Sequence, residues 1–500
     1  MECTAATIAL FSIYSVLQAS GRLCPRRWAA GVCQCDTIEN AFIRMRLALL
    51  SVVLAGCLLA QTPSLPGQAT DEEYRVYSEH PRLFLTAQRL RLLRRERDRD
   101  SMRWHQFALL VRAAAQMPEP GFALGLYFAV TGDTAFGQRA VDWALGPATD
   151  LRQLALVYDW CRAAMNAAQS KALLAKIRRL TEQPPAAGPA ARRDRVLAVI
   201  ATADDEQHSE EGPLRETIVQ WWRADLAPKL ASGVTVIPHD ELYALLELMH
   251  AIRDSTKIDL REDAPEYFKE LPKYQILGNY PAPLAAPENE YRIPVYKGSV
   301  EPDVDRAAQA RAAGLSMVAF DNNAFENQYL QGWLIQDRFM MQGTFGAPYE
   351  FLWANPYQPG LSYFQLPVVY HDAHTGTLFV RSNWEDEALW FGLYAGEAQL
   401  FQDGKITVLN QSVPAGSNPK PIAVGDASIL LGRSPMRFSV EGGTTLVVGL
   451  KPQRKYLIET DDEELRELET DRVGTLVLEY PADRMAGVRM VEAKSGSDGT

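Results

Sequence analysis

Up to about Phe345 the apolar residues of this chain recur at helical spacing. Beyond it they collect into short runs of Val, Leu, Phe and Thr cut by Gly, Pro, Asn or Asp. A helical block followed by a strand block means two domains or an α+β arrangement. The runs predict helices over Thr86–Gln116, Phe122–Val130, Thr134–Leu145, Leu151–Met165, Ala168–Thr181, Arg195–Thr202, Leu214–Leu226, Pro238–Arg253, Val304–Phe320 and Ala324–Met341. A loop is expected over Pro184–Arg193, and a long irregular excursion over Ser255–Gly298. Strands are expected at Thr377–Ser382, Ala388–Tyr394, Ile406–Leu409, Ser428–Leu431, Arg437–Val440, Thr445–Leu450 and Thr475–Leu478.

With 47% apolar and 23% charged residues the chain has a soluble globular composition, which excludes coiled coil, collagen and wholesale disorder. Its net charge of -11 argues against nonspecific nucleic-acid binding. A polyanionic ligand would need a locally basic cleft. Residues Met45–Ala60, MRLALLSVVLAGCLLA, join a short basic start to an apolar run too short for a comfortable membrane span. This segment, 45–60, reads as a signal peptide or a lipoprotein signal; in the second case Cys57 carries a lipid anchor, the sole membrane attachment expected. Residues 1–44 are then an upstream extension, with Met45 the expected true start, and 61–79 a linker. Either reading of the signal exports the protein, making it periplasmic, secreted or anchored to the outer membrane. Cys161 alone follows the signal, so no internal disulfide or cysteine metal cluster is expected, and no metal or other cofactor.

Four segments carry a family resemblance. HPRLFLT, YFAVTGDTAF…AVDWAL and LRQLALVYDW resemble the toroid of heparinase II/III-like, or alginate-lyase-like, polysaccharide lyases, and GTLFVRSNWEDEALWFGLYAG resembles the first strands of their β-sandwich. The resemblance implies an incomplete α/α toroid over 80–345, then an antiparallel β-sandwich over 346–500, with a sugar cleft between them. It also implies β-elimination at a uronic acid, for which the family uses an Asn-His pair and a tyrosine in the toroid and histidines in the sandwich. This chain departs from that pattern: EAQLFQDGKITVLNQ, after Gly396, holds no histidine, there is no Asn-His pair, and His371 and His374 lie just before the first strand.

Read from the residues themselves, Pro238 opens a helix on which His239, Tyr243, Glu247 and His250 share a face. His239 and Tyr243 then form an acid/base couple, or the face is simply polar and solvated. Glu247 and His250 lack the second copy that a carboxylate-bridged metal site needs. Asp204 and Glu206, in an acidic run around His208, would serve a glycosidase or a solvated helix start. Arg192, Arg193 and Arg195 would meet a uronate or keep a loop soluble. The aromatic segment 349–363 offers Trp353, Asn355, Tyr357 and Tyr363 as a glycan platform at the domain junction, or as a buried clamp. Two functions follow: an exported lyase acting on a uronic-acid glycan, or a non-catalytic glycan-binding or structural protein on the same scaffold.

Overall fold

Ser101, Asp133, Asp150, Asn166 and Asp303 each cap a helix with a side-chain oxygen, and these caps fix where the helical block breaks. The helices are α1 (Ala87–Asp98), α2 (Met102–Arg112), α3 (Pro120–Thr131), α4 (Thr134–Leu145), α5 (Leu151–Trp160), α6 (Ala167–Thr181) and α7 (Pro189–Ala201). Next comes α8, in which a π-wound stretch Glu216–Leu226 joins Glu211–Arg215 to Ala227–Ala231. Then follow α9 (His239–Thr256), α10 (Pro265–Leu277), α11 (Val304–Phe320), α12 (Phe325–Gln336) and α13 (Gly346–Trp353). The chain is known from a computed structural model that describes residues 74–182, 187–203, 210–233, 237–285, 290–298, 303–336, 340–411, 416 and 418–493, all within one unit, Thr70–Thr500. The export segment and the acidic run 204–209 lie outside the described residues.

Four expectations are corrected. The helix expected over 86–116 is two, because Asp100 takes a φ of 47° and Ser101 starts α2 by accepting from the Trp104 amide. The loop expected to reach Arg193 ends at Pro189, which fits the first turn of α7. The excursion 255–298 contains α10, started by Pro265 and carrying Pro272 inside it. The helical layer also runs past Phe345: α13 packs on α2 and α11.

Inner helices α5, α7, α9 and α11 stand side by side, α9 packing between α7 and α11. They run parallel. Near its start α9 lies by the start of α11 (Asp240 and Arg306, 3.9 Å), and its end lies by the end of α11, where Arg253 donates to the Phe320 carbonyl at 2.7 Å. Two of the resembling segments hold each other: Asp159 on α5 accepts the Arg82 and Leu83 amides, and the Trp160 indole donates to the Leu83 carbonyl.

The strand block stacks three sheets. The first has the order β1 (Val369–Asp372), β2 (Thr377–Arg381), β3 (Trp390–Tyr394), β4 (Glu397–Gln402), β5 (Lys405–Leu409). The second comprises β6 (Ile422–Val424), β7 (Ala427–Leu431), β9 (Gly443–Val448) and β12 (Leu476–Tyr480), in the order β12-β9-β7-β6. The third joins β8 (Met436–Val440), β10 (Lys455–Thr460), β11 (Glu464–Glu469) and β13 (Ala486–Glu492), in the order β8-β13-β10-β11. Among the described residues every pairing in these sheets is antiparallel except that of β9 with β7, which is parallel. Along β9 the alternation assigns Leu446 and Val448 to the core shared with the first sheet, and Val447 to the core shared with the third. The middle sheet is thus buried on both faces, and the expected two-layer sandwich gains a layer. On its other face the first sheet sends Phe379 and Trp390 against α10, where the Trp390 indole donates to the Leu277 carbonyl. Gly392 makes room for that indole, since a Cβ there would lie 2.1 Å from it.

Candidate functional site

The N-terminal halves of the inner helices meet in a buried ionic network. Arg152 on α5 grips Glu247 on α9 bidentately, with both contacts at 2.8 Å, and reaches Glu119 at 3.1 Å. Arg193 on α7 adds a third contact to Glu247 at 3.0 Å. Tyr243 donates to Glu247 at 2.5 Å and accepts from the Trp353 indole at 2.9 Å, while Tyr349 donates to Glu119 at 2.5 Å. Burial alone would raise the Glu247 pKa; Arg152 and Arg193 outweigh it and hold the carboxylate ionised. Burial and then the Glu247 charge push the Tyr243 hydroxyl well above its ordinary range. That hydroxyl is engaged twice within the fold.

His239, one turn before Tyr243, meets different neighbours. Its ring stacks on Tyr274 of α10 at 4.8 Å and tilts against Tyr394 of β3 at 6.2 Å, so it lies in the seam between the helices and the first sheet. It is 5% exposed, and neither ring nitrogen has a partner with hydrogen-bond geometry. Burial pushes its pKa down to about 4, against the opposing pull of Gln275 and Asp240, so the ring is neutral near pH 7. The other charges acting here are Arg306, which stands 5.2 Å over Tyr296, and the two carboxylates paired with it, Asp303 at 3.0 Å and Asp240 at 3.9 Å. The Tyr296 hydroxyl is likewise buried without a partner. Burial raises the hydroxyls of Tyr274 and Tyr394. Beside Tyr274 the seam opens into a cavity of about 340 Å³, lined also by Tyr267, Tyr370 and His371. His371 Nε2 lies 3.0 Å from Asp471, whose other oxygen accepts the Val473 and Thr475 amides.

A larger cleft, of about 960 Å³, lies at the opposite end of α9. From His239 to Arg253 the helix rises about 21 Å. The cleft is lined by Arg89, Arg91 and Arg95 of α1, by Arg253 and Asp254, and by Trp353, Asn355 and Tyr357. Gln331 donates to the carbonyls of Asn355 and Gln358, and so holds the loop after α13 to α12. Gly332 permits that approach: a Cβ there would lie 1.8 Å from the Leu361 carbonyl oxygen.

These positions recast several expectations. The face bearing His239, Tyr243, Glu247 and His250 is not solvated, since all four are at most 5% exposed. His239 and Tyr243 serve different clusters. His250 Nε2 donates to the Ser316 carbonyl, and Glu247 is held by the arginines. Arg192 and Arg195 pair with Glu216. Trp353, Asn355 and Tyr357 do come together, but in the far cleft and not at the junction with the sheets. Tyr363 lies apart, stacked on Phe364 and edge-on to Trp384. Trp353 is 1% exposed, and its ring is covered by Arg89 at 4.8 Å and His250 at 4.6 Å. It therefore offers no face to a sugar. Sequence reasoning missed Tyr274, Tyr394 and Arg306, which reach the seam from three separate elements, and it left His371 unused. Among the described residues no group of three or more His, Cys, Asp or Glu is placed to hold a metal ion, and no helix is long and apolar enough to cross a membrane.

No family profile and no curated protein sequence matches this chain. Among solved structures it is similar to the heparan sulfate lyase HepC from Pedobacter heparinus (TM-score 0.33, 11% identity, 75% of each chain covered). It is also similar to a glycoside hydrolase (TM-score 0.25, 8% identity, 75% of this chain and 71% of that one). Both likenesses are too loose to carry an argument, and the functional reading rests on this chain's own side chains.

Proposed function

We propose that this is an exported, glycan-active protein of lyase type that works on a uronic-acid glycan at the seam between the helices and the first sheet. One observation carries the reading: a neutral imidazole, His239, that makes no well-formed hydrogen bond within the fold and feels the pull of Gln275, packed between Tyr274 and Tyr394 with the cation Arg306 close by. A buried polar group left without a well-formed hydrogen bond requires an explanation, and an awaited ligand supplies one.

β-Elimination assigns each group a task. Arg306 turns from its exposed partners Asp303 and Asp240 to the uronate carboxylate, offsets its charge and so acidifies the C5 proton. Tyr394, the half-buried hydroxyl of the seam, takes that proton in its phenolate form and so becomes the phenol, C4=C5 forms, and the C4–O bond breaks. The proton returns to the departing oxygen, and His239 hydrogen-bonds the tyrosine or the sugar. Positioned acid–base groups typically contribute about a hundred- to ten-thousand-fold in rate. The test is an absorbance assay for unsaturated uronate on a panel of acidic polysaccharides, with Tyr394→Phe alongside. The expected result is product from the parent and a loss of that order in the variant. Full activity in Tyr394→Phe would remove the assignment.

A non-catalytic, glycan-binding role is the second reading. It is favoured by the raised pKa values of Tyr274 and Tyr394, since a tyrosine base needs the opposite shift. No cleavage of any panel member, with retained binding, would establish it. Export is checked separately by sequencing the N-terminus of the native protein, expected at Cys57 or Gln61.

A further inference from the structure

The cleft at the far end of α9 gathers four arginines around one carboxylate, on a chain whose net charge is -11. Asp254 is already held by Arg253 at 2.9 Å. Arg89, Arg91 and Arg95 have no ion-pair partner among the described residues. The aromatics here act as posts for guanidinium groups: Arg95 lies 4.2 Å over Tyr357, Arg99 5.5 Å over the same ring, and Arg89 over Trp353. Arg89 is fixed further by donating to the Leu352 carbonyl at 2.9 Å, and burial pushes its pKa down to about 10, which a bound anion would relieve. Arg91 and Arg95 follow one another at a rise of about 6 Å along α1.

We infer that this cleft is a second binding site, separate from the seam, for a linear anionic polysaccharide read through its carboxylate or sulfate groups. A polysaccharide fits better than a nucleic acid. Single-stranded nucleic acid wants open aromatic faces for its bases, whereas Trp353 is buried and Tyr357 carries two arginines. The amides of Asn322, Asn355 and Gln358, which also line the cleft, suit sugar hydroxyls. The site does not depend on seam chemistry, because a chain that cleaves nothing would still bind there.

The experiment compares the parent with the double variant R91S/R95S against heparin, polygalacturonate, neutral dextran and a single-stranded oligonucleotide, by calorimetry at several salt concentrations. Both arginines are exposed and free of ion pairs, so the variant should fold; thermal melting checks this. The parent should bind at least one polyanionic glycan and not dextran. The double variant should bind at least tenfold more weakly, with the slope of log Kd against log salt reduced by about two, one for each removed cation. If the parent also cleaves, the variant should still release unsaturated uronate from a short oligosaccharide, which separates this site from the seam. Absence of glycan binding, equal binding by the variant, equal binding of dextran, or a preference for the oligonucleotide would each overturn the proposal.

Discussion

The two ends of α9 solve opposite electrostatic problems. Toward its start, charge is buried and fully answered: Glu247 meets two arginines and a tyrosine, while His239 remains neutral in the seam. At its far end, charge is left open, with arginines propped on aromatic rings around an open cleft. The first arrangement holds helices α5, α7 and α9 together. The second leaves Arg91 and Arg95 exposed and without an ion pair among the described residues, free to meet a ligand. The difference shows that arginine count alone says little about binding; what matters is whether a guanidinium is buried on a carboxylate of the same chain, as Arg152 is, or remains open to solvent.

The largest test of this contrast is Glu247→Ala. It would leave Arg152 buried with Glu119 as its remaining ion-pair partner, and would strip Arg193 of its interior one. Breaking a buried pair on one side typically costs about 3–5 kcal/mol, so urea unfolding should show a loss of that order. Exposed Arg91→Ser should stay within about 0.5 kcal/mol. A loss below about 1 kcal/mol for Glu247→Ala would mean that the network does not hold the inner helices.

Next comes acid. His239 has a folded-state pKa of about 4 against an ordinary 6.5, so the unfolded chain binds the proton more readily. Stability attributable to its neutral ring is therefore intact above pH 6.5 and falls as pH drops toward 4. The total is about 3 kcal/mol at 1.36 kcal/mol per pKa unit. His250, whose pKa burial also lowers, acts with the same sign. Denaturant titrations of the parent and His239→Gln should converge as pH falls through that window. A stability difference independent of pH would show that the ring is not held neutral.

The helix–strand switch was readable because periodicity survives without tertiary information. α4 and α11 fall where the apolar spacing puts them, as does every strand expected after Thr377. Several strands were not legible for a physical reason. β11, ELRELE, carries acids and an arginine on an exposed edge, and β4, EAQLFQ, buries Gln399 through a hydrogen bond from Tyr280 that no local pattern announces. α10 was hidden by its prolines, since Pro272 sits inside a helix whose Leu271 and Tyr274 are buried. The site was half legible. Helical spacing found His239, Tyr243 and Glu247, but only the packing reveals that Glu247 turns to Arg152 while His239 turns to Tyr274. The charge run Arg89, Arg91 and Arg95 reads as an ordinary solvated helix face until Trp353 and Tyr357 arrive from more than 250 residues away along the sequence.

A smaller effect separates fold from chemistry at Tyr243. If the residue were catalytic and otherwise free, Tyr243→Phe would lower turnover and leave the unfolding midpoint alone. Its hydroxyl instead bridges Glu247 and the Trp353 indole, and a hydrogen bond to a charged group is worth about 1.5–3 kcal/mol. The expected outcome is a lower midpoint of that size, with any loss of activity recovered when the assay temperature is reduced. An unchanged midpoint with lost turnover would move the chemistry from the seam into the network.

The smallest expected change is Tyr357→Ala. Tyr357 is 39% exposed and touches the fold chiefly through Arg95 and Arg99. A cation–π contact at an exposed site is worth about 0.5–1 kcal/mol, which bounds the stability cost. Binding should respond more strongly, because both guanidinium groups lose the post that aims them and regain their rotamer freedom. Heparin affinity should therefore fall severalfold while the melting temperature moves by little. Tyr357→Phe keeps the ring and should bind as the parent does. Were Tyr357→Phe as weak as Tyr357→Ala, the hydroxyl and not the ring would be the contact, and the aromatic would belong to the ligand instead of to the arginines.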